Sequence, residues 1–140
     1  MRNKAPLSLM EQLCMLLVFA LSAALCLQVF VLSARMSRNM EAQGQAVRAV
    51  QNTAETVKYC RADVSRYPEL LGGEGTESLW QIGYDDKWQP VSLDRASCII
   101  SVERCDSALD TLGKAEISAR SAAGGELFAL CVSWQEVSHG

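Results

Sequence analysis

The sequence predicts an α+β fold: one long N-terminal helix packed on a small antiparallel β-meander of four to five strands. Three observations carry this. An apolar run from Leu13 to Ala34 is interrupted only by Ser22, Gln28 and Ser33. Apolar residues then continue at helical spacing, with no proline between Pro6 and Pro68 and Gly44 as the only glycine in that interval. From Ser78 onward the spacing changes to two-residue alternation punctuated by turn residues.

The apolar run comes first. Its 22 residues make a helix of roughly 33 Å, enough to cross a hydrocarbon core of about 30 Å. A cleaved secretory signal has a shorter apolar region ending in small residues. Leu32 and Ala34 make a poor cleavage site of that kind, so the run reads as a retained single-span anchor in contact with membrane lipid. Arg2 and Lys4 precede it and Arg35, Arg38 and Arg48 follow it, so the positive-inside rule leaves orientation undecided.

Beyond the span, Met40, Val47 and Ala54 form one seven-residue series, and Val50, Val57 and Val64 a second. Together they predict an amphipathic continuation of the same helix to about Arg66, ended by Pro68, Gly72, Gly73 and Gly75. The stripe suits a face packed on the chain's own sheet better than a coiled-coil seam, because Gln43 and Arg61 interrupt it. The organisation is then a basic leader over residues 1–6, a transmembrane helix over 7–35 and its amphipathic extension over 36–67. A loop over 68–77 and a sheet over 78–140 complete it.

The strands follow in order. Ser78–Tyr84 alternates Trp80, Ile82 and Tyr84 against Leu79, Gln81 and Gly83, and a turn at Asp85-Asp86-Lys87 leads to a return over Trp88–Val91. Cys98–Arg104 places Cys98, Ile100 and Val102 on one face. Lys114–Arg120 places Ala115, Ile117 and Ala119 on one face. Ala123-Gly124-Gly125 turns the chain into Leu127–Glu136, where Phe128, Leu130, Val132 and Trp134 share a face. A short helical turn is expected over Ser107–Leu112. A one-faced sheet and an amphipathic helix each have a surface to bury, and packing them together satisfies both.

Charge and chemistry narrow the function. From Met36 onward there are 10 basic and 15 acidic residues, a net charge of −5. That argues against nucleic acid as a partner, since phosphate binding needs clustered Lys and Arg. The only histidine, His139, stands next to the C-terminal residue, and no Cys-x-x-Cys pair, phosphate loop or nucleophile elbow occurs. The chain reads as a non-enzyme with no cofactor and no metal. Asp85 and Asp86 suit a β-turn better than a calcium site, which needs six or more oxygens. Cys14 and Cys26 lie in the span. Cys60, Cys98, Cys105 and Cys131 belong to the soluble part, an even number that permits two disulfides outside the cytosol. Spacing fixes no connectivity, and four free thiols remain the alternative.

The most informative residue is Glu11, which stands with Gln12 at the head of the apolar run. A carboxylate at the bilayer centre costs on the order of 2.5–3.5 kcal/mol, and less near the interface. A headgroup-depth marker is the plain reading of such a residue. The run Leu7-Ser8-Leu9-Met10-Glu11-Gln12-Leu13, preceded by Lys4, also resembles the N-terminus of type IV pilins and type II secretion pseudopilins. The segment Gly83–Val91, GYDDKWQPV, looks like a hairpin of Gram-positive pilin-like proteins. The resemblance implies that a prepilin peptidase cuts between Pro6 and Leu7 and methylates the new amine. Pro6 stands where that class usually carries glycine, and Leu7 where it usually carries phenylalanine. It further implies that Glu11 pairs with the amine of a neighbouring subunit. By that resemblance the chain is a single-pass cell-membrane subunit of a pilus, secretion or DNA-uptake filament, with other pilin-like subunits as partners and an extracytoplasmic head. The alternative is a stand-alone bitopic protein with a small extracytoplasmic binding domain.

Overall fold

A computed structural model describes residues 4–109 and 111–136. Its elements are helix α1 (Ala5–Tyr59), a 3₁₀ turn (Val64–Arg66), helix α2 (Tyr67–Leu70) and strands β1 (Glu74–Gly75), β2 (Leu79–Tyr84), β3 (Pro90–Val91), β4 (Cys98–Cys105), β5 (Leu112–Ser121) and β6 (Glu126–Gln135). The fold is α+β, as expected. The chain divides into two compact units at Glu41/Ala42, with α1 contributing to both.

In the first unit every described side chain is solvent-exposed from Lys4 to Glu41. This stretch holds the one helical segment, among the described residues, that is long and apolar enough to cross a membrane. A helix that is apolar all round calls for apolar surroundings on every side, as a protein core or a membrane provides.

The second unit is the head. Its sheet runs β1-β2-β4-β5-β6, with β3 pairing β2 off that path and every pairing antiparallel. Two two-residue strands, β1 and β3, bring the number to six. The register builds inner-face rows across the sheet. Trp80, Val102, Ile117 and Leu130 form one row, and Ile82, Ile100, Ala119 and Phe128 form the next. Ile82, Ile100 and Ile117 are fully buried, each contributing about 1.5–3 kcal/mol of apolar burial. These are the alternations read from the sequence. The Ala123–Gly125 turn also forms as expected: Gly124 adopts φ +92 and Ser121 N–H donates to Gly125 C=O at 2.8 Å.

The helix face that packs on the sheet keeps Val50, Ala54 and Val57 of the expected stripe and departs from it elsewhere. Ala46, Val50, Thr53, Ala54 and Val57 are buried, whereas Met40 is exposed and Val47 and Val64 are only half-buried. The buried Thr53 hydroxyl donates to Ala49 C=O at 2.8 Å, so its burial leaves no polar atom unpaired.

The helix also stops earlier than expected, at Tyr59 rather than about Arg66. Arg61 N–H donates to Lys58 C=O at 3.2 Å and Ala62 N–H donates to Val57 C=O at 2.9 Å. Arg61 and Ala62 both sit in the left-handed region, at φ 52 and φ 56. This is the paired-bond helix stop that usually carries glycine, built here without one. Asp63 then caps the 3₁₀ turn, accepting from Ser65 Oγ at 2.6 Å and from Ser65 N–H at 3.1 Å. Those two hydrogen bonds hold its carboxyl below the ordinary carboxylate range. Pro68 does not end α1. It opens α2, where a missing N–H costs nothing. The expected loop over 68–77 therefore contains part of α2 and all of β1. Within the helical turn expected over Ser107–Leu112, Leu112 N–H donates to Leu109 C=O at 3.0 Å, residue 110 lies outside the described residues, and Leu112 belongs to β5.

Candidate functional site

Glu11 lies on α1, six residues into the helix, and is exposed. With Met15, Val18 and Ser22 it follows steps of four, three and four. These residues therefore share one helix face, together lining a shallow apolar groove with one carboxylate at its head. Ser22 Oγ donates to Val18 C=O at 2.9 Å, so this hydroxyl is satisfied within the helix. Glu11 has no ion pair among the described residues; the two ion pairs there are Arg104–Glu136 and Arg120–Glu126, both in the head.

Helix α1 begins at Ala5, so Pro6 and Leu7 stand in its first turn rather than before it. Ser8 N–H donates to Lys4 C=O at 3.3 Å. Proline is tolerated there because the first N–H groups of a helix have no intrahelical acceptor. Leu7 is one turn before Glu11, exposed, and on the same face.

The four head cysteines are free thiols in this structure. Cys60 and Cys98 are buried, and burial pushes the Cys98 thiol up. Cys105 and Cys131 alternate with the inward residues of β4 and β6 and so lie on the sheet's outer face. Strand β5 separates them, a gap of roughly 10 Å across two strand spacings. Disulfide Cα atoms lie within about 7 Å, so the folded sheet excludes a bridge between these two.

The Asp85-Asp86-Lys87 segment forms the expected turn. Asp85 Oδ1 accepts from Lys87 N–H at 2.9 Å and Gln89 N–H at 2.8 Å, so this carboxylate is committed to its own loop. Trp80 and Trp134 are core residues. Trp80 Nε1–H donates to Gly72 C=O at 2.8 Å and packs edge-on to Tyr67 at 5.6 Å. Burial pushes the Tyr67 phenol up to about 12. Tyr84 and Trp88 are half-buried and tilted against each other at 5.8 Å. His139 lies outside the described residues.

Sequence reading missed a second concavity, in the head. Gln45, Arg48, Asn52 and Thr56 follow steps of three, four and four along α1, a pattern that reads as an ordinary solvated helix face. In the fold, that face meets Tyr84 and Trp88 across an open groove.

No family model matches the chain, and no curated protein and no solved structure matches it either.

Proposed function

We propose that the chain is a membrane-anchored, pilin-like structural subunit of a type IV pilus, type II secretion-like or DNA-uptake filament, with its head outside the cytoplasm. One observation carries the reading. Glu11 sits one turn from Leu7 on a continuous helix whose described side chains up to Glu41 are all solvent-exposed although most are apolar. The head supports it: the same helix continues to an amphipathic end packed on a small antiparallel sheet.

The mechanism is electrostatic registration. A lone carboxylate among apolar helices is costly, and a neighbouring positive group removes much of that cost only at the correct axial offset. Cleavage after Pro6 would supply that group as the amine of Leu7. Because Leu7 and Glu11 are four residues apart, an offset of about 6 Å brings one subunit's amine level with the next subunit's carboxylate. The apolar surface then supplies adhesion, and the ion pair selects the register.

The test is association in mild detergent. Glu11→Leu and Glu11→Gln chains are expected to insert in membranes normally and keep a folded head. Their co-purification with other pilin-like chains is expected to fall by about tenfold or more, a loss of about 1.4 kcal/mol. Unchanged association would overturn the reading and leave a stand-alone anchored domain. Mass analysis of the membrane-extracted N-terminus, expected to begin at a methylated Leu7, checks the source of the positive group.

A further inference from the structure

We propose that the head groove between the Gln45–Thr56 face of α1 and the Tyr84–Trp88 ring pair binds a carboxylated pyranose sugar. The groove has a volume of about 360 Å³, in the range of small-ligand sites.

Trp88 is the starting point. Its backbone is left-handed, at φ 59, a conformation that is strained for a residue with a Cβ. Glycine adopts it freely, and asparagine more readily than tryptophan. The loop is fixed by other atoms: the Asp85 carboxylate takes two backbone N–H groups, and Trp88 N–H donates to Asp85 C=O at 3.0 Å. The turn's backbone is set by those atoms, while the indole packs with one part against the core and lines the groove with the rest; strained positions of this kind concentrate at binding sites. The indole is half-buried, leaning on Tyr84 and lining the groove.

The chemistry of the walls specifies the ligand. The two rings pack on each other at 5.8 Å and 38°, leaving no slot for a planar base between them. A single indole face instead suits the C–H face of a saturated ring, with hydroxyls projecting from its edge. Gln45 and Asn52 each present an amide with both donor and acceptor, and neither side chain is hydrogen-bonded among the described residues. Arg48 is the one charged residue lining the groove, and it has no ion pair among the described residues. Its planar fork matches a carboxylate. The head's net charge of −5 from Met36 onward disfavours a dense polyanion, while one carboxylate per sugar meets Arg48 alone.

The inference stands apart from filament assembly, so a Glu11→Leu chain should bind sugar equally well. The test uses the full chain in a detergent without a sugar headgroup, followed by tryptophan fluorescence. The acidic probes are N-acetylglucosaminyl-N-acetylmuramic acid and a glucuronic-acid disaccharide; diacetylchitobiose is the neutral control. At least one acidic probe should bind saturably and about tenfold more tightly than the control. Which acidic probe binds distinguishes a wall glycan from a uronic-acid polymer. Arg48→Gln should erase the preference for the acidic probe. Trp88→Asn should abolish binding of every probe while the head still unfolds cooperatively. The proposal is overturned if neither acidic probe saturates, if Arg48→Gln keeps the preference, or if a cooperatively folded Trp88→Asn chain still binds.

Discussion

The two parts of α1 share one unbroken backbone and differ in what surrounds their side chains. Up to Glu41 every described residue is exposed, although most are apolar. Beyond it, Ala46, Val50, Thr53, Ala54 and Val57 are buried against the head's own sheet. Backbone hydrogen bonding is the same in both. The source of stability changes: packing within the chain holds the second part, and the first requires an apolar medium or other helices. Continuous secondary structure therefore says nothing about continuous stability.

The strongest way to break that contrast is to place the same charge in each part. Val50→Asp puts an unpaired carboxylate at a fully buried position and should abolish cooperative unfolding of the head, at a cost of about 4 kcal/mol or more. Leu25→Asp, in the exposed apolar part, should leave the head's thermal midpoint unchanged and reduce membrane insertion, by about 2.5–3.5 kcal/mol. Near-UV circular dichroism and membrane fractionation read the two effects separately. A head destabilised by Leu25→Asp would erase the distinction.

The parts also differed in how readily the sequence revealed them. In the sheet, Cys98, Ile100 and Val102, then Ala115, Ile117 and Ala119, alternate cleanly because one face alone is buried and strand side chains have a period of two. Glu11 stood out because a charge in an apolar run is visible without any fold. The helix stop was not visible, since Arg61 and Ala62 hold a turn for which glycine is the usual signal. Ala46 and Thr53 were passed over for Met40 and Val47, because the direction in which the helix face turns toward the core is a tertiary property. The Trp88 groove was hidden for a similar reason. Its walls come from α1, from α2 and from the loop after β2, and only folding brings them together.

A smaller effect sharpens the contrast within the head. Gly113 pairs with Trp134 across β5 and β6, and a Cβ at position 113 would fall within the indole ring. Gly113→Ala should lower the head's stability by about 1–3 kcal/mol through overpacking. Gly44, also in the head-side part of α1, has open space where a Cβ would go, so Gly44→Ala should be neutral or mildly stabilising. Paired urea melts check both. Equal responses would mean that the Trp134 layer yields more easily than close packing implies.

The smallest effect concerns where the packed part of the helix ends, and its sign is the informative quantity. Arg61 is exposed and left-handed, so Arg61→Gly removes backbone strain and no buried surface. Left-handed strain is worth about 1–2 kcal/mol, and glycine's extra freedom in the unfolded chain returns roughly half of that. A net gain of about 0.5–1 kcal/mol should therefore appear as a higher urea midpoint with an unchanged slope. Arg35→Gly, in the middle of the same helix, should instead weaken local helicity by about 1 kcal/mol. That loss would be read by hydrogen exchange in detergent and would leave the head's melt unmoved. If Arg61→Gly destabilised the head, the arginine side chain rather than the backbone turn would be holding the helix stop in place.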